Sequence, residues 1–187
     1  ESEIKPFELA REALCFAHER ADVAIVSSAN LGAVLEEWEK HGLLPHTDIV
    51  LAQNAGSKAF CIAELLKKGY DPRKVLMCGD APGDLQAAEK NGVFYFPILV
   101  RREKGSWEEF MAEGFGRLLD GTYEGAYQDA KKAAFQVKGM LREEQYCLDA
   151  PNLGLVTEKS GLKEVDYVKV DGYRYVRGDV QREEAIM

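Results

Sequence analysis

The sequence predicts an α/β fold, a Rossmann-like three-layer α/β/α sandwich around a parallel sheet, and three observations predict it. Short, β-branched apolar runs recur at 23–26, 48–52, 74–78 and 93–99. Helical patterns of about ten residues separate them. Each junction carries a cap or a breaker, so strand and helix alternate as in right-handed βαβ units, and the runs read as buried parallel strands.

Taken in order, residues 1–20 form an amphipathic pattern with Phe7, Leu9, Ala10, Ala13, Leu14 and Ala17 on one side. No strand precedes this helix, so the chain is expected to begin in mid-fold. The first strand delivers Ser27 at its end. Asn30 is a good N-cap for a helix over 31–41, and Gly42 stops it. After the second strand, Ser57 caps a helix over 58–68, Gly69 closes it, and Asp71-Pro72 turns the chain into the third strand. Gly79 opens a tight loop, and a helix over 83–91 leads to the fourth strand.

Beyond Val100 the period becomes helical. Ser106 with Glu109 three residues on resembles a capping box and predicts a helix over 106–119. A longer helix is expected over 123–146, interrupted at Gly139. Near the end, Asp171-Gly172 between alternating runs predicts a β-hairpin near 165–177. The expected organisation is a core over 1–146 and a C-terminal extension over 147–187 carrying that hairpin. Trp38, Trp107, Tyr123 and Tyr127 stand at helical spacing and read first as core or interface anchors. Self-association through the helices of 106–146 is the alternative use for them.

A net charge of -8 and a pI near 5.0 argue against nucleic acid or an anionic membrane surface as partner, since both require a basic face to displace counterions. No run approaches the roughly 20 apolar residues that span a bilayer, and no signal-peptide pattern opens the sequence, so a cytoplasmic location is expected. The cysteines Cys15, Cys61, Cys78 and Cys147 lie far apart without CxxC spacing. Free, buried thiols are the expectation.

The chemistry concentrates at 75–93, VLMCGDAPGDLQAAEKNGV, where an apolar strand ends in Gly-Asp and a second aspartate follows at a helix start. Asp80 and Asp84 can converge there, and two hard carboxylates at the carboxyl end of a parallel sheet make a partial site for Mg²⁺. The plainer alternative makes Asp80 a turn residue and Asp84 a helix N-terminal residue favoured by the dipole.

The apolar strand followed by GDAPGD resembles the fourth motif of the haloacid dehalogenase superfamily. VAIVSSAN resembles its second, with Ser27 at a strand end, and Lys58 at the head of the helix before GDAPGD resembles its third. These stand in the family's order between about Asp22 and Val100, and the likeness is greatest to phosphoglycolate-phosphatase-like members. The resemblance implies a phosphohydrolase acting on a small phosphorylated molecule. Ser27 and Lys58 would be catalytic and contact the phosphoryl group, and Asp80 and Asp84 would hold Mg²⁺, all by electrostatic positioning. Ser28 and Asn30 are further candidates for phosphate contacts. For Ser27 the bland alternative is a strand-end cap, and for Lys58 a solvated residue of a first helical turn.

The family's first motif, a strand followed by DxD that supplies the nucleophile and the general acid, has no counterpart before Ser27. Its strand would lie between those that carry Ser27 and Asp80, leaving a gap of roughly 10 Å. The flanking strands close up, another chain fills the gap, or part of the tail hairpin inserts. The expectation is a fragment of a longer hydrolase, inactive alone, with a missing N-terminal segment as partner. A non-catalytic phosphate- and metal-binding or assembly module is the second reading. A receiver-like or nucleotide-binding domain is the third, and the absence of GxGxxG and GxxxxGK[ST] weighs against it.

Overall fold

The computed structural model describes residues 9–142, 155–156 and 185–186. Helix α1 (Ala10–His18) leads into β1 (Asp22–Val26), α2 (Leu31–Lys40), β2 (Ile49–Leu51), α3 (Lys58–Leu66), β3 (Val75–Gly79), α4 (Pro82–Asn91) and β4 (Phe94–Pro97). The expected alternation therefore holds, and its punctuation is visible in the hydrogen bonds. The Asn30 side chain accepts from the Gly32 and Ala33 amides, and Ser57 Oγ accepts from Phe60 N at 3.1 Å. Each supplies partners that a helix start otherwise lacks.

Strands β1 and β2 pair in parallel, as do β3 and β4, and all five residues of β1 and of β3 are buried. Helices α3 and α4 pack on each other, while α1 packs on α5 (Glu103–Glu109). The strand order is β2-β1-β5-β3-β4, and the central row comes from the tail. Strand β5 (Leu155–Val156) runs antiparallel to β1 and β3, and β6 (Ala185–Ile186) runs parallel to both. The sheet is thus mixed, with one antiparallel piece at its middle. Tail insertion fills the expected gap through these two segments, while the hairpin expected near 165–177 lies outside the described residues.

Three further expectations are corrected. The helix assigned to 106–119 starts at Glu103, and Ser106 sits inside it, with Oγ donating to Arg102 O and accepting from Leu99 N. Bonding to a carbonyl four residues back competes with a capping role, and here the half-buried loop amide of Leu99 takes the free lone pair. That helix then passes through a π-helical turn, Phe110–Gly114, into α6 (Phe115–Asp120). The widened turn lets Phe110 and Phe115, five residues apart, both enter the core at no more than 1% exposure. Finally, α7 (Ala126–Arg142) runs through Gly139 without a break. A glycine in a helix weakens it by about 1 kcal/mol and need not end it. Trp107 and Tyr123 are buried, consistent with core anchors. No helix among the described residues is long and apolar enough to cross a membrane.

Candidate functional site

The carboxyl ends of β1 and β3 and the amino ends of α3 and α4 meet one edge of the sheet, because parallel strands joined by crossover helices all finish on the same side. Ser27 follows β1, 6% exposed, and its amide donates to Leu51 O at 2.8 Å. Its Oγ accepts from Ala29 N at 3.1 Å, a local turn that leaves the hydroxyl proton free in direction. Ser28 and Asn30 are exposed on the following turn, where the Asn30 carbonyl oxygen is engaged as a helix cap.

Across the central row, β3 ends at Gly79 and delivers Asp80, 3% exposed. Asp84, in the first turn of α4, is wholly buried. Its Oδ2 accepts from Ala81 N at 3.0 Å, and its Oδ1 forms an ion pair with Lys58 Nζ. Sequence reasoning assigned Lys58 to phosphate and Asp84 to metal, and the structure joins the two directly. Burial pushes the Asp84 carboxyl above its ordinary value, and the Lys58 ammonium and neighbouring amides oppose that.

Gly79 was not singled out from the sequence as part of this arrangement. A Cβ there would come within 2.2 Å of Asp84 Oδ2, so only glycine lets the carboxylate lie against β3. The Gly79 carbonyl accepts from Tyr95 Oη and Ile98 N, both at 2.8 Å. The Gly-Asp pair in the sequence was the available signal, since glycine ending a buried strand marks a close approach.

Ser27, Lys58, Asp80 and Asp84 therefore share one polar edge, with β1 and β3 held about two strand spacings, roughly 10 Å, apart by the central row. Among the described residues no three His, Cys, Asp or Glu side chains form a metal-binding group. Hard carboxylates suit Mg²⁺, an ion that keeps several waters, but both oxygens of Asp84 are engaged by Ala81 N and Lys58 Nζ. Thiol chemistry is disfavoured at the core cysteines: burial pushes Cys61 up to about 11 and Cys78 well above its ordinary value.

A hydroxyl, a lysine and two carboxylates thus stand at the carboxyl end of an α/β sheet. A family model described as haloacid dehalogenase-like hydrolase matches residues 1–98, just over half of the 187. The chain belongs to that family, whose members generally use Mg²⁺. No curated protein and no solved structure matches it.

Proposed function

We propose that this edge is the phosphate- and metal-facing part of a Mg²⁺-dependent phosphomonoester hydrolase of phosphoglycolate-phosphatase-like type. The observation that carries the proposal is the buried Lys58–Asp84 ion pair beside Asp80, on the edge where Ser27 ends β1. A buried charge pair is expensive to desolvate and is rarely kept for stability alone. Asp84 holds the ammonium of Lys58 in place, and Lys58 in turn offsets negative charge on a phosphoryl group. Ser27 donates its hydroxyl proton to a phosphoryl oxygen, with Ser28 and Asn30 on the exposed turn beside it. Asp80, with Asp84 behind it, would hold Mg²⁺, which neutralises phosphate charge when bound.

The 187 residues contain no Asp-x-Asp triplet, so the nucleophile in this proposal comes from chain beyond them, and these residues alone are inactive. The partner is a small phosphorylated molecule, with no nucleic acid and no membrane surface, in the cytoplasm. Joining an N-terminal apolar strand ending in Asp-x-Asp and assaying an aryl phosphate with Mg²⁺ tests this. Turnover is expected, and it is expected to vanish in Lys58→Met and Asp80→Asn; no turnover in the joined protein sinks the proposal. The tail segments in the central row favour a second reading, a phosphate- and metal-binding module without catalysis. Under that reading phosphate or Mg²⁺ raises the melting temperature while no hydrolysis occurs.

A further inference from the structure

Away from the edge that carries Ser27 and Asp80, two polar rungs join α1 to the segment leading into β2. Cys15 and His18 stand three residues apart on one face of α1, and His46 and Asp48 stand across from them. Cys15 Sγ lies 3.2 Å from His46 Nε2, and His18 Nε2 lies 3.0 Å from Asp48 Oδ1. Asp48 is fixed in turn, because its Oδ2 accepts from Val23 N at 2.6 Å. His46 closes a single tight turn, Leu44–His46. Its amide donates to Leu43 O at 3.0 Å, and Thr47 donates to Leu44 O from both N and Oγ1. The imidazole is therefore held against the thiol.

The three described cysteines differ in setting. Cys61 and Cys78 are buried, whereas Cys15 is half-buried and has a histidine beside it. Burial, the Arg11 guanidinium and His18 all disfavour a charged His46, so near neutral pH its ring is uncharged and able to take a proton. Arg11 stands one turn before Cys15 on the same face of α1, exposed to solvent.

We propose that Cys15 is a modification site, a thiol that a small hydroperoxide oxidises to sulfenic acid while His46 takes its proton. With hydrogen peroxide, the sulfur lone pair attacks one oxygen, the S–O bond forms and the O–O bond breaks. Sulfur is oxidised and the peroxide is reduced by that electron pair. The thiol proton passes to His46 Nε2 and on to the leaving oxygen, which departs as water, so the imidazole ends uncharged. The Arg11 guanidinium offsets charge building on the leaving oxygen. A low-molecular-weight thiol then condenses with the sulfenic acid, releasing water and giving a mixed disulfide, and a second one restores Cys15. None of Ser27, Lys58, Asp80 and Asp84 takes part, so this site stands or falls separately from the phosphatase proposal.

The test treats the full 187-residue chain with hydrogen peroxide at neutral pH, traps sulfenic acid with dimedone, and reads each cysteine by peptide mass. Burial by itself slows a thiol, so the comparison is with the same chain unfolded in urea. Cys15 is expected to label at least about tenfold faster in the folded chain, and Cys61 and Cys78 slower. In His46→Gln the amide still hydrogen-bonds to the thiol but cannot carry its proton, and the acceleration is expected to vanish. Arg11→Gln, at an exposed position, is expected to slow labelling to a lesser extent and serves if His46→Gln does not fold. The proposal is overturned if folded Cys15 labels no faster than unfolded. It is equally overturned if folded His46→Gln, or Arg11→Gln in its place, labels as fast as the parent.

Discussion

The outer strand pairs and the central row of this sheet are made in different ways. Strand β3 meets β4 at four successive positions, from Leu76 opposite Phe94 to Gly79 opposite Pro97, and β1 meets β2 at three. Each pair is joined by one local crossover. In the central row the described residues are two short pieces, 155–156 and 185–186, and both come from the far end of the chain. Local pairing closes a short loop, whereas recruiting residues 155–156 and 185–186 to β1 closes a very long one, at a larger entropic cost. The outer pairs therefore carry the fold, and changes there are expected to cost most.

Gly79→Ala is the harshest way to break an outer pair. The new Cβ has to displace the Asp84 carboxylate that lies 2.2 Å away, so overpacking and disruption of the ion pair combine. A loss of about 4 kcal/mol or more in urea unfolding is expected. Gly83→Ala is the control, because a Cβ there meets nothing within 4 Å. It should leave stability unchanged or raise it by about 0.5 kcal/mol.

Asp84→Asn comes next in size. It leaves the Lys58 ammonium, whose side chain is 9% exposed, without its charge partner, at an expected cost of about 3 kcal/mol. Pairing it with Lys58→Met should recover part of that loss, a coupling that a double-mutant cycle measures directly. If the two losses simply add, the pair is not a coupled unit and Lys58 is held by something else.

These residues also mark where sequence reasoning reached and where it stopped. Asn30 and Ser57 announced their helices because a cap acts on amides two or three residues away, a range that the sequence displays. Ser27, Lys58, Asp80 and Asp84 could be gathered to one edge because consecutive parallel strands leave no other place for them. The contact between Lys58 and Asp84 was not legible, since both stand at helix starts 26 residues apart and their side-chain reach depends on how α3 packs on α4. The π-turn was hidden for a similar reason: Phe110 and Phe115 fit no single helical face until the core demands both. Nothing local in Leu155-Val156 or Ala185-Ile186 marks either as a central strand, because the instruction lies in the vacant edges of β1 and β3.

A smaller effect is expected from Tyr95→Phe. Tyr95 is fully buried in β4, and its hydroxyl donates to Gly79 O at 2.8 Å, across the outer pair. The carbonyl keeps its bond from Ile98 N, so no acceptor is orphaned, and the loss should be about 1 kcal/mol. A loss above about 3 kcal/mol would mean that the hydroxyl holds the Gly79 turn, and with it the Asp84 cradle, more tightly than one hydrogen bond allows.

The mildest perturbation is pH, acting where β2 begins. His46 accepts or donates at Cys15 Sγ over 3.2 Å, and burial, then the Arg11 guanidinium and His18, lower its pKa from 6.5. The unfolded chain therefore takes up this proton first as pH falls. The stability contributed by neutral His46 is complete above 6.5 and is lost as pH falls through the lower folded-state value. Asp84 acts with the opposite sign, since its raised pKa makes the folded chain the better proton acceptor above the ordinary aspartate range. The difference between the parent chain and His46→Gln isolates the histidine. That difference should slope downward below pH 6.5 and be flat above it, with the exchange of β1 and β2 amides following and that of β3 and β4 unchanged. A flat difference throughout would show that His46 senses the same surroundings folded and unfolded, and that the β1–β2 edge is open to water at this point.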